Sequence, residues 1–151
     1  MNTQENILID SHLRKHTYLR ISITERCNLR CTYCMPAQGI PLSPKAHIMT
    51  ADEIYGIAKT FVNQGVTKIR LTGGEPLVRK DFLTILEKLA TLKTNLCITT
   101  NGILVDRYID HFKKAKLQTV NISLDSLEVE KNKEITPVSY THLTLPTTPY
   151  V

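Results

Sequence analysis

The sequence predicts an α/β chain in which about four parallel strands build an open or incomplete (β/α) barrel, and three observations predict it. Strand-like and helix-like segments alternate from Tyr18 to Leu124, which makes parallel pairing through right-handed crossovers the natural topology. Counting by twos, one strand face carries Arg20 and Ser22, Arg70 and Thr72, Cys97 and Thr99, and Asn121 and Ser123, while the other is apolar throughout. Each strand then runs into a turn with polar or cysteine residues, which a barrel would gather at its C-terminal mouth. A doubly wound sheet is covered by helices on both sides and should be apolar on both faces. A flavodoxin-like sheet with a few buried polar residues is the alternative.

The elements follow in order. The first sixteen residues are polar and irregular and read as an arm laid over the domain. Tyr18–Ile23 alternates as a first strand, followed by a long loop with three cysteines and the turn-rich stretch PAQGIPLSP. Thr50 with Glu53 three places on is a capping-box pattern, and Ile54, Ile57, Ala58, Phe61 and Val62 then recur at helical spacing up to Gly65. Lys68–Thr72 is the second strand and ends in Gly73-Gly74-Glu75-Pro76; Leu83, Leu86, Leu89 and Ala90 mark the next helix. Asn95–Thr99 leads into Thr100-Asn101-Gly102, Tyr108, Ile109, Phe112 and Ala115 give a further helix face, and Thr119–Leu124 is the fourth strand.

Composition narrows the function classes. In 151 residues, 42% hydrophobic and 22% charged is the balance of a globular protein, not of a disordered chain. No apolar run reaches the length of a membrane span, and the polar start MNTQEN is unlike a signal peptide, so a cytoplasmic protein is expected. The net charge of +5 suits an anionic ligand, but with no Trp and 6% aromatics the chain lacks stacking platforms for nucleic acid, and none is expected as a partner. Four cysteines in such a chain point to metal or redox chemistry before disulfides.

Cys27, Cys31 and Cys34 have the spacing Cys-x3-Cys-x2-Cys. Three thiolates so close can serve one small metal centre. Structural zinc wants four protein ligands, and His47 or distant Cys97 would complete no usual zinc spacing. A four-iron cube also usually takes four cysteines, so three would leave one iron open to a substrate or cofactor. Cys97 reads as a small core or lumen residue, and His12, His16, His47, His111 and His142 show no ligand spacing to one another. Arg30, Arg79, Lys80 and the Lys113-Lys114-Lys116 run read as solvated surface charges. Arg20 and Arg70, on what should be an interior face, need anionic partners; a triphosphate, a carboxylate, or salt bridges with Glu25, Glu75 or Asp125 would serve.

LRISITERCNLRCTYCMP followed by KIRLTGGEPLVRKD resembles the radical S-adenosylmethionine enzymes, and the addition of TTNG and NISLDSL resembles their GTP 3′,8-cyclases of molybdenum cofactor biosynthesis. The resemblance covers roughly residues 8–136. It implies the N-terminal portion of a partial TIM-like barrel of the radical SAM type. It implies that Cys27, Cys31 and Cys34 bind a [4Fe–4S] cluster whose open iron chelates S-adenosylmethionine, with Tyr33, Gly74 and Ser123 contacting that cofactor. Arg20, Arg70 and Thr99 would bind GTP. An electron from the cluster would cleave the sulfonium to a 5′-deoxyadenosyl radical, which abstracts the GTP 3′ hydrogen before the ribose carbon closes onto C8 of guanine. A one-electron reductant is an implied partner, and a homodimer and a second [4Fe–4S] cluster belong to the full-length family. A radical enzyme acting on a peptide or other small molecule, or a non-enzymatic zinc module, are the alternatives.

Three regions are expected: an arm over residues 1–17, a truncated barrel domain over 18–136, and a non-native tail over 137–151. That tail, PVSYTHLTLPTTPYV, contains no Asp, Glu, Lys, Arg or Gly, and Val138–Thr147 resembles a translated sequencing adapter joined to a truncated gene. Finding the same tail encoded at an intact genomic locus would refute this.

Overall fold

Parallel ladder pairing organises the computed structural model, which describes residues 8–34 and 39–136. The elements run β1 (Tyr18–Ser22), α1 (Ala51–Asn63), β2 (Lys68–Thr72), α2 (Phe82–Ala90), β3 (Asn95–Thr100), α3 (Ile109–Lys114), β4 (Thr119–Ile122) and α4 (Val129–Ile135). The strands form one sheet in the order β1-β2-β3-β4, every pair parallel, with Arg20 opposite Arg70 and Arg70 opposite Cys97. This is the expected strand–helix alternation. The tail expected over 137–151 lies outside the described residues.

Two compact units are distinguished: residues 8–28 with 41–123, and residues 29–34 and 39–40 with 124–136. The first contains the sheet and α1 to α3. Its core takes Ile21, Ile23, Ile69, Leu71, Leu96 and Ile98 from the apolar strand face and packs them with Ile54 and Ala58 of α1, Phe82, Ile85, Leu86 and Leu89 of α2, and Phe112 of α3. The arm contributes Leu8 to the edge of this core, and an Ile9–Lys15 bridge holds it in a turn around Asp10.

Thr50 and Glu53 form the expected reciprocal capping box at the start of α1. Ile57, expected on the core face, is 41% exposed, because α1 buries only Ile54 and Ala58 completely. The apolar strand face is covered over β1 to β3 but not over β4, where Val120 and Ile122 are exposed. α4 is not signalled by the apolar periodicity, and it belongs to the second unit. Among the described residues no helix is long and apolar enough to cross a membrane.

Arg79 corrects a sequence expectation. Its side chain is 9% exposed, not solvated, and its guanidinium donates to the carbonyls of Ile23 and Met49 and, bidentate, to Asp81. It thereby ties the end of β1 to the entry of α1. Hydrogen bonding from Arg79 holds the Asp81 carboxyl below the usual carboxylate range, so the pair's contribution is present above that range and fades as pH falls through the lowered value. Arg79→Met is expected to leave two carbonyls without their charged donor. The cost should be about 3 kcal/mol, read as a lower urea midpoint at unchanged slope.

Candidate functional site

The C-terminal ends of β1, β2 and β3 are fastened to one another by backbone and buried polar side chains. After β1, Ile23 donates its N–H to the Thr72 carbonyl, continuing the ladder past Ser22. The chain after β2 then crosses it at very short range: Gly74 N–H donates to the Thr24 carbonyl at 2.7 Å and Glu75 N–H to the Arg26 carbonyl at 2.8 Å. This approach is why two glycines are needed. A Cβ on Gly73, whose φ is +143°, would stand 2.2 Å from the Thr24 carbonyl oxygen, and one on Gly74 would stand 2.3 Å from that of Arg26. The Gly74 N–H is therefore engaged by the loop that leads to Cys27.

Glu75 completes the join. It is 1% exposed and accepts from Leu77 N–H (3.0 Å), Thr100 Oγ1 (2.8 Å) and Asn101 N–H (2.7 Å), so its buried charge is spread over three donors. Asn101 passes the connection on, donating through Nδ2 to Asn28 Oδ1 at 2.8 Å, one residue beyond Cys27. Glu75, Asn101 and Asn28 fix the loop ends. The sequence displayed them only as parts of Gly-Gly-Glu-Pro, Thr-Thr-Asn-Gly and the cysteine loop.

The polar strand face is cationic. Arg70 is 8% exposed; its Nε–H donates to the Tyr18 hydroxyl oxygen at 2.6 Å, and Nη1 donates to Thr99 Oγ1 at 3.1 Å and to the Ile98 carbonyl at 3.4 Å. All of these partners are neutral. The salt bridges considered from sequence do not form: Glu75 is bound as above, Glu25 accepts from the N–H and hydroxyl of Ser43, and Asp125 accepts from Tyr33. Arg20 and Ser123 are exposed on the same face, Thr99 is half-buried beside Arg70, and Cys97 is buried at 1% as Arg70's register neighbour, far from the role of a ligand. Ser123 N–H continues the sheet by donating to the Thr100 carbonyl.

The cysteine loop begins in the first unit with Cys27 and continues in the second with Cys31 and Cys34. In the second unit Cys34 N–H donates to the Cys31 carbonyl at 2.9 Å, closing a tight turn, and Cys31 Sγ lies 3.5 Å from Thr136 Oγ1. Cys27 and Cys31 are partly exposed, Cys34 is exposed, and none is in a disulfide. Among the described residues no three Cys, His, Asp or Glu side chains gather as ligands of one metal ion. A single ion needs donors that converge on one point, whereas a four-iron cube takes each thiolate at a separate corner. An all-thiolate donor set on an accessible loop fits the cube by its chemistry.

Tyr33 is 69% exposed, and its hydroxyl donates to the Asp125 carboxylate, 3.0 Å from each oxygen. That hydrogen bond, with smaller contributions from burial and charge, pushes its pKa up to about 12. A raised tyrosine pKa favours the folded state below the ordinary value and loses that contribution as pH rises toward the folded one. Asp125→Asn is expected to bring one tyrosine back toward pKa 10 in an ultraviolet titration, a shift that Tyr33→Phe should erase.

The chain is similar to known proteins along most of its length. The radical SAM superfamily matches residues 21–143. The chain is 52% identical over 131 residues to Molybdenum cofactor biosynthesis protein 1 of Drosophila melanogaster, covering 85% of this chain and 23% of that protein. It is 51% identical over 137 residues to the mitochondrial GTP 3′,8-cyclase of Arabidopsis thaliana, covering 89% of this chain and 35% of that one. The chain thus spans about a quarter to a third of these relatives. Among solved structures, Streptococcus suis SuiB bound to its precursor peptide SuiA superposes with TM-score 0.70 at 26% identity over 89% of this chain and 29% of SuiB.

Proposed function

Because the chain belongs to the radical SAM superfamily, we propose that it forms the cofactor-binding and part of the substrate-binding portion of a GTP 3′,8-cyclase, the enzyme of the first step of molybdenum cofactor biosynthesis. The observation that carries this reading is the 51% identity, over nine-tenths of the chain, to a protein named for that reaction. The buried Arg70, with no carboxylate partner among the described residues, supports it from the structure.

A radical SAM domain implies a [4Fe–4S] cluster and S-adenosylmethionine, the cluster supplying the electron that breaks the sulfonium S–C5′ bond. Cys27, Cys31 and Cys34 would hold it. Tyr33, Gly74 and Ser123 would hold S-adenosylmethionine: Tyr33 and Gly74 through backbone groups of fixed loops, Ser123 through its exposed hydroxyl. Arg20 and Arg70 would neutralise the substrate's anionic groups, with Thr99 holding Arg70 in place while its own hydroxyl remains able to donate. The product follows as (8S)-3′,8-cyclo-7,8-dihydroguanosine 5′-triphosphate. A one-electron reductant, a second [4Fe–4S] cluster beyond the four cysteines here, a cytoplasmic location and a homodimer complete the proposal.

The 151-residue chain, reconstituted anaerobically and given S-adenosylmethionine and dithionite, is expected to release 5′-deoxyadenosine without converting GTP. Joined to the C-terminal part of the Arabidopsis cyclase, it is expected to convert GTP. A chimera that releases 5′-deoxyadenosine yet leaves GTP untouched would count against the cyclase reading and favour another substrate, such as a peptide.

A further inference from the structure

We infer that Tyr18 is a positioning residue that aims Arg70 at a bound polyphosphate; the inference rests on the polar strand face being the substrate side and deepens that reading. An arginine side chain that is more than nine-tenths buried normally has a carboxylate beside it, because desolvating an uncompensated charge is costly. Arg70 has none among the described residues. Of its donor atoms, Nε is taken by the Tyr18 hydroxyl and Nη1 by Thr99 and Ile98, while Nη2 has no protein partner among the described residues. The guanidinium plane is thus held at one edge by neutral acceptors, leaving Nη2 to meet an oxyanion.

Tyr18 is placed to set that plane. In the ladder it pairs with Lys68, two residues before Arg70, whereas Thr99 lies two residues beyond Arg70's other register partner, Cys97. The guanidinium is therefore tied from the N-terminal side of the sheet by tyrosine and from the C-terminal side by threonine. A 2.6 Å Nε–H···O contact is short, and it comes from an acceptor that adds no negative charge. A carboxylate in the same place would neutralise Arg70 and weaken its attraction for a ligand; a phenol orients it without doing so. The same ring receives a second cation, with Lys68 Nζ 5.1 Å from its centroid. One aromatic residue thus arranges two positive charges on one face.

Inorganic tripolyphosphate is the probe, with binding to the 151-residue chain read by calorimetry alongside the thermal midpoint. Tyr18→Phe, which keeps the ring but loses the acceptor, is expected to weaken tripolyphosphate binding about fivefold to tenfold in a chain that still unfolds in one cooperative transition. Tyr18→Leu, which also removes the ring under Lys68, is expected to weaken it further. In an Arg70→Lys background, which has no Nε–H to orient, Tyr18→Phe should change affinity by less than about twofold. The inference is overturned if the parent chain binds no tripolyphosphate, if Tyr18→Phe binds as well as the parent, or if its effect persists undiminished with Arg70→Lys. Should tripolyphosphate bind in this Tyr18-dependent way while GTP binds no better, the positioning role stands and the GTP reading falls.

Discussion

Gly74→Ala is expected to be among the most damaging single-atom changes in the chain. The added carbon would stand 2.3 Å from the Arg26 carbonyl oxygen and 2.8 Å from that of Glu25, both backbone atoms that cannot rotate aside. Relief requires the strand end and the loop to separate, which breaks the Gly74–Thr24 and Glu75–Arg26 hydrogen bonds and pulls Glu75 from its three donors. A loss of about 3–5 kcal/mol follows from overpacking together with a disturbed buried carboxylate. Urea unfolding should show it as a large drop in midpoint, and iron uptake on reconstitution should fall with it, since Cys27 follows directly on the displaced segment. Gly73→Ala should behave similarly, with backbone strain at φ +143° added to a 2.2 Å contact. If either variant keeps the parental midpoint, the close crossing of the two loops is wrong.

Replacing any one of Cys27, Cys31 or Cys34 by alanine is expected to reduce reconstituted iron from about four atoms per chain to background. With three thiolates already one short of the usual ligand set, two cannot hold a cube against loss to solvent. Cys97→Ala serves as the contrast. Cys97 is buried in β3 beside Arg70, so its loss should leave iron unchanged and lower stability by about 1 kcal/mol at most, through a small cavity. Equal iron in all four variants would remove the three-thiol loop from any account of the cluster.

What was legible in the sequence is what local period and spacing encode. Alternation located β1, β2 and β3 to within a residue, and the Thr50/Glu53 pair located the start of α1, because both patterns arise between near neighbours in the chain. The cysteine spacing and the double glycine were visible for the same reason. Less legible were the partners that folding brings together over long separations. Arg79 meets the carbonyl of Ile23 across 56 residues, and Glu75 meets Asn101 across 26, so neither the burial of the first nor the three-donor cradle of the second is written in its neighbourhood. A charged residue in a polar stretch reads as solvated until the carbonyls that surround it are known. Arg70 shows the opposite case: its place on an alternating strand announced a buried charge, but not that a tyrosine rather than a carboxylate would hold it.

Everything proposed for the reaction depends on a cluster that keeps one iron free for S-adenosylmethionine. Electron paramagnetic resonance of the anaerobically reconstituted, dithionite-reduced chain tests this directly, by comparing spectra with and without S-adenosylmethionine. The expected result is a [4Fe–4S] signal whose g-values and line shape change when S-adenosylmethionine is added, as its amino and carboxylate groups take the open iron. A cluster signal indifferent to S-adenosylmethionine, or a colourless chain that takes up zinc and no iron, would contradict it.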